Sequence, residues 1–113
     1  MTLEEMKTEL EKNGYVVLKR GGYEWYKQPL EEVCAYAESV GYGTDTVRRR
    51  YGAAHKIVVR MSKHFKERFG ISHLCNVPDT KFYRDYFVEQ GMKIVDTLVV
   101  ERDERRRKFW GES

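Results

Sequence analysis

The stretch 92-MKIVDTLVVE-101 decides the fold class of this chain. It is apolar and rich in β-branched residues, the composition of a strand. A strand needs partners for its backbone, and the segment 15-YVVLKRGGYEWYK-27 offers them. There two β-prone runs flank Gly21-Gly22, a pair that accepts the positive φ of a tight hairpin turn. Tyr23 and Trp25 alternate with Glu24 and Tyr26, which is the period of a pleated strand. A lone hairpin is marginal in water, so the expected unit is a small antiparallel sheet made of hairpin 15–27 and strand 92–101, with helices on one face.

Helices are expected around that sheet. In 3–12, Leu3, Met6 and Leu10 share a face, Thr2 and Glu5 have the spacing of a capping box, and Asn13-Gly14 is a stop signal. Pro29 suits the first turn of a second helix, whose apolar stripe is Leu30, Val33, Cys34, Ala37 and Val40. Gly41-Tyr42-Gly43 interrupts it. From Asp45 a long basic helix, 45–69, carries Val47, Tyr51, Ala54, Val58, Met61 and Phe65 at spacings of 4, 3, 4, 3 and 4. This heptad seam faces either the core or a second copy in a homodimer. Gly52 lies within it as a point of bending or breakage, and Gly70 closes it. After a connector at 71–78, Asp79 caps a short helix, 80–90, with Phe82, Tyr83, Tyr86 and Phe87 inward, and Gly91 ends it. The segment 102-RDERRRKFWGES-113 is a short helix or a loose charged tail. The fold class is thus α+β: a mainly helical single domain over 1–113 with a small antiparallel sheet.

A chain of 113 residues that is 41% hydrophobic can bury a core of its own. The two cysteines, Cys34 and Cys75, make no disulfide framework. The acidic start lacks the apolar core of a signal peptide, and no apolar run approaches a membrane span. The expected setting is cytoplasmic. His73-x-Cys75 has no matching second pair elsewhere, so no metal is expected. Cys34 sits on an apolar stripe, where a free cysteine behaves as a small hydrophobe. His55 and His64 read as solvated polar residues. No nucleotide-loop or nuclease pattern occurs, so neither a cofactor nor enzymatic activity is expected.

The net charge of +3 is unevenly spread. Residues 45–69 hold eight basic residues against Asp45 and Glu67, while the remainder holds 13 basic against 16 acidic. Such segregation points to an anionic partner.

The stretch 36-YAESVGYGTDTVRRRY-51 gives that charge a form. Ala37 is small where a second helix would cross the first. Gly41, four residues on, suits a turn with positive φ, Tyr42 can plug the space between helices, and Val47 falls where the second helix buries its first apolar residue. Over residues 33–52 this resembles the helix-turn-helix of bacterial repressors and of phage and mobile-element regulators, in which a Thr-Val pair, here Thr46-Val47, opens the recognition helix. The chain departs from the pattern at Arg50, where an apolar residue is usual and Tyr51 must serve, and at Gly43, which leaves the cap to Thr44 or Asp45. The resemblance implies a DNA-binding regulator, active as a monomer or homodimer, with the 44–60 helix in the major groove.

Arg48, Arg50, Lys56 and Arg60 would then contact phosphates, and Arg49, Thr44 and Thr46 base edges. Lys19 and Arg20 at the hairpin turn, and 105-RRRK-108, would add phosphate contacts. The partner is double-stranded DNA, with RNA or a nucleoprotein complex as alternatives. The rival reading is a non-enzymatic protein-binding inhibitor or adaptor of phage type, similar to anti-CRISPR proteins, acting through the same basic helix. Ion pairing of Arg48 and Arg49 with Glu31, Glu32 or Glu38 would count against DNA.

Overall fold

The computed structural model describes Thr2, Glu5, Met6 and residues 20–110 of the chain. These form three α-helices, α1 (Glu24–Ser39), α2 (Val47–Phe69) and α3 (Lys81–Phe109), with a 3-10 turn, Leu74–Asn76, between α2 and α3. Among the described residues there is no β-strand; the one bridge is an isolated antiparallel contact of Arg20 with Pro78. The expected α+β class is therefore corrected to an all-helical arrangement of these residues.

Both strand expectations fail for the same reason. In 92–101 the buried residues are Ile94, Val95 and Leu98, and with Phe87 and Gly91 they make a stripe of helical period. Burial of that stripe outweighs a β-branched preference of only a few tenths of a kcal/mol per residue. Gly91 does not end a helix. It lies buried inside α3, where Val33 of α1 packs so closely that a Cβ would overlap its side chain.

The second half of the expected hairpin, 23–27, is the start of α1. Trp25, Pro29, Val33 and Ala37 are buried at four-residue steps, so the stripe begins before the proline and Pro29 sits in the helix interior. Residues 15–19, and most of the 3–12 helix, lie outside the described residues. The capping box itself is present: Glu5 N–H donates to Thr2 Oγ1 at 3.2 Å and Thr2 N–H to Glu5 Oε2 at 3.4 Å.

The helices begin and end on local signals. Thr46 caps α2 by accepting from Arg49 N–H at 3.1 Å, and Gly70 at φ 71 closes it. It runs unbroken through Gly52. Thr80, rather than Asp79, caps α3 by accepting from Tyr83 N–H; Asp79 instead holds Arg84 through two hydrogen bonds of 2.6 and 2.8 Å. α3 continues through the expected tail as far as Phe109. At 29 residues it is about 43 Å long and packs against both other helices.

α2 and α3 run antiparallel, since their contacts progress in opposite directions. Phe69 meets Tyr83, Phe65 meets Phe87, and Arg60 meets Glu101. The α2 residues in the core are Ala53, Ile57, Met61 and Phe65, a stripe turned from the seam read in the sequence. Met61 and Phe65 are fully buried within the chain, whereas Val47 and Tyr51 are 81% and 75% exposed. The six seam residues therefore share no face open to a second copy. At one end Trp25 closes the core: its indole N–H donates to Leu74 O at 2.7 Å and its ring packs edge-on to Phe87.

Candidate functional site

The opposite end of the bundle is organised by the turn between α1 and α2. Gly41 N–H donates to Glu38 O at 3.0 Å and Tyr42 N–H to Ala37 O at 2.8 Å, the paired bonds of a Schellman cap, with Gly41 left-handed at φ 75. Tyr42 and Ala37 are both buried in the core, as the two apolar positions of such a cap commonly are. Gly43, at φ 71, lies against Ala53 and the Arg49 carbonyl, leaving no room for a side chain. Asp45 is left-handed as well, at φ 84, a conformation Asp tolerates better than most residues.

Three left-handed residues in five lengthen the connection. Ala37 and Tyr42 are buried and Gly41 is left-handed, but Val47 and Tyr51 do not reach the core, because the buried stripe of α2 starts only at Ala53. The first turn and a half of α2 projects beyond the core.

Along one flank of this projection α3 returns. Between the two lies an open cleft of about 370 Å³, walled by Gly41–Asp45, by Arg49, Gly52, Ala53 and Lys56 of α2, and by Arg102, Arg105 and Arg106 of α3. Five cations and one carboxylate, Asp45, line it. Like charges gathered in a cleft with low-dielectric walls raise the local concentration of anions.

The cations do different work. Arg102 is a strut: Nη1 donates to Gly41 O at 2.7 Å, Nε to Asp103 at 3.2 Å, and its guanidinium lies 5.8 Å from the Tyr42 ring centre. Arg49 pairs with Asp45 at 3.2 Å. Lys56, Arg105 and Arg106 make no ion pair among the described residues, and neither does Arg48, exposed on the outer face of α2.

The remaining expected site residues are dispersed. Arg50 bridges to Glu38 of α1 at 3.3 Å, whereas Arg48 and Arg49 do not pair with the α1 glutamates. Arg60 grips Glu101 with two bonds of 2.6 and 3.2 Å. That grip, reinforced by the charges of Arg105 and Lys56, holds the Glu101 carboxyl below the usual carboxylate range. Thr46 is occupied as the α2 cap, and Thr44 lines the cleft. Arg20 lies by Pro78, at the far end of α1 from the cleft; Lys19 lies outside the described residues.

Sequence reasoning found 105–108 but not its partnership with α2, and it missed Arg102. A signal was present: 102, 105 and 106 continue the helical stripe of Ile94, Val95 and Leu98, which becomes visible once 92–101 is read as helix. Among the described residues no helix is long and apolar enough to cross a membrane. Comparison of the chain with protein-family models, curated proteins and solved structures returned no match.

Proposed function

We propose that this chain binds DNA, and that it does so chiefly through the phosphate backbone, in the cleft between the start of α2 and the end of α3. The observation that carries the reading is the convergence of Lys56, Arg105 and Arg106 with Arg49 on one open cleft whose one lining carboxylate among the described residues is Asp45. Glu101, which also feels Lys56 and Arg105, lies outside the lining and is gripped by Arg60. Cations without partners are what a polyphosphate ligand needs, since each can neutralise a phosphate and release its condensed counterion. The narrower reading, a regulator that reads base edges from the 44–60 helix, rests on Arg48. Arg49 and Arg50 already hold carboxylates, and Thr46 already holds a backbone N–H.

The test is fluorescence anisotropy with labelled oligonucleotides at about 50 and 200 mM salt. About four phosphate contacts predict an affinity loss of about 50- to 150-fold across that fourfold salt range, the smaller value for single strands. The variant Arg105→Ala/Arg106→Ala keeps the Arg102 strut and is expected to flatten the salt dependence by about two contacts. Binding that ignores salt, or no binding at 50 mM, refutes the proposal and returns attention to a protein partner.

A further inference from the structure

Two large aromatic side chains follow the last arginines of the cleft along α3 and join no core contact among the described residues. Phe109 and Trp110 end α3 at 82% and 76% exposed. Their rings meet edge to face, with centroids 5.5 Å apart, and no other described residue covers them. Isolated surface hydrophobes are ordinary, but a bare aromatic pair beside a charged cleft points to a ligand.

Phe109 follows Arg105 and Arg106 by four and three residues, so it continues their face of α3 about one turn, or 5 Å, further along. That is the reach from a nucleotide's phosphate to its own base. We infer that the cleft takes single-stranded DNA, with a phosphate held by Lys56, Arg105 and Arg106 and an unpaired base stacked on the Phe109–Trp110 pair. This rests on the DNA-binding reading and sharpens it.

One physical point favours a single strand. In a duplex the base faces are already stacked on each other, so a lateral aromatic pair finds none to cover; a single strand exposes them. A ribose 2′-hydroxyl both donates and accepts, and the cleft has donors in its cations and acceptors in Thr44 and the second oxygen of Asp45. The choice of DNA over RNA therefore comes from the DNA-binding reading and is tested with oligo-rU.

The chain carries its own reporter. Its other tryptophan, Trp25, is 1% exposed, so a ligand-induced change in emission reports Trp110. The experiment titrates the full chain with a single-stranded oligo-dT, a hairpin duplex of equal charge, an oligo-rU, and vesicles containing phosphatidylserine. The expected result is tightest binding to oligo-dT, with quenching of tryptophan emission that disappears in Trp110→Leu. Phe109→Ala/Trp110→Ala is expected to lose about 5- to 150-fold in affinity, with an unchanged salt slope and unchanged far-UV circular dichroism.

Equal or tighter duplex binding, a tenfold preference for oligo-rU, or wild-type affinity in the aromatic double variant overturns the inference while leaving salt-dependent DNA binding intact. A blue shift with vesicles and no response to oligonucleotides overturns it in favour of a membrane surface. Absence of salt-dependent binding to any nucleic acid removes the parent proposal too.

Discussion

Two glycines inside helices make opposite predictions for one substitution. At Gly52 in α2 an added Cβ meets no atom within 4 Å. Ala there brings only the helix-propensity gain, about 0.5–1 kcal/mol of added stability. At Gly91 in α3 the same Cβ overlaps the Val33 side chain, with Cγ1 at 2.9 Å and Cβ at 3.2 Å. Val33 is completely buried and β-branched, so it has no rotamer in which to retreat. Overpacking of this kind costs about 1–3 kcal/mol, which offsets the propensity gain and leaves Gly91→Ala neutral to about 2 kcal/mol destabilised. Urea unfolding followed by far-UV circular dichroism separates them: the midpoint rises for Gly52→Ala and falls, or stays level, for Gly91→Ala, with the slope unchanged. Val33→Ala supplies the control. It removes the obstructing methyls, so the Gly91→Ala/Val33→Ala double variant is more stable than the single effects add up to, by at least about 0.5 kcal/mol. Equal stabilisation by both glycine substitutions, or strict additivity in the cycle, refutes the close α1–α3 crossing.

Other outcomes follow from particular bonds. Trp25→Phe leaves the buried Leu74 carbonyl without its 2.7 Å donor, for an expected cost of about 1–3 kcal/mol, read from the urea midpoint. Thr46→Ala and Thr80→Ala each remove an N-cap acceptor and are expected to cost about 0.5–2 kcal/mol apiece in the same assay. Glu101 has its carboxyl lowered by Arg60, so its contribution is complete above the unfolded value of about 4.3 and is lost as pH falls through the lower folded value. Glu101→Gln should therefore lower stability at neutral and alkaline pH by a constant amount and shallow the acid side of the stability–pH curve, the two curves converging at low pH, measured by thermal melts across pH.

The parts legible in the sequence act over four residues or fewer. The Thr2–Glu5 box, the left-handed Gly41 and Gly70, and the extent of α2 are set by groups adjacent along the chain. Charge segregation is legible for the same reason, because counting residues needs no coordinates. The misread parts are those where local preference and burial disagree. Ile94, Val95, Val99 and Val100 speak for a strand, and Tyr23–Lys27 has strand-like alternation, yet both segments are helical. Their apolar residues fall at helical steps that only the packing partners Val33, Phe65 and Phe87 make worth burying.

The cleft lies further still from what sequence can reach. Arg49 and Lys56 are separated from Arg105 and Arg106 by about fifty residues, and only the antiparallel return of α3 along α2 brings them to one wall. Tertiary structure also assigned each arginine its duty: Arg102 to the Gly41 carbonyl, Arg60 to Glu101, Arg50 to Glu38. Sequence alone determined the Thr2–Glu5 box, the left-handed stops at Gly41 and Gly70 and which quarter of the chain is cationic, because those are local or additive properties. The caps at Thr46 and Thr80 and the run of the last helix through Gly91 fell elsewhere than the sequence suggested. Which residues are buried, which cations stay unpaired and where they meet was decided by helix packing, because burial and pairing belong to neighbours in space.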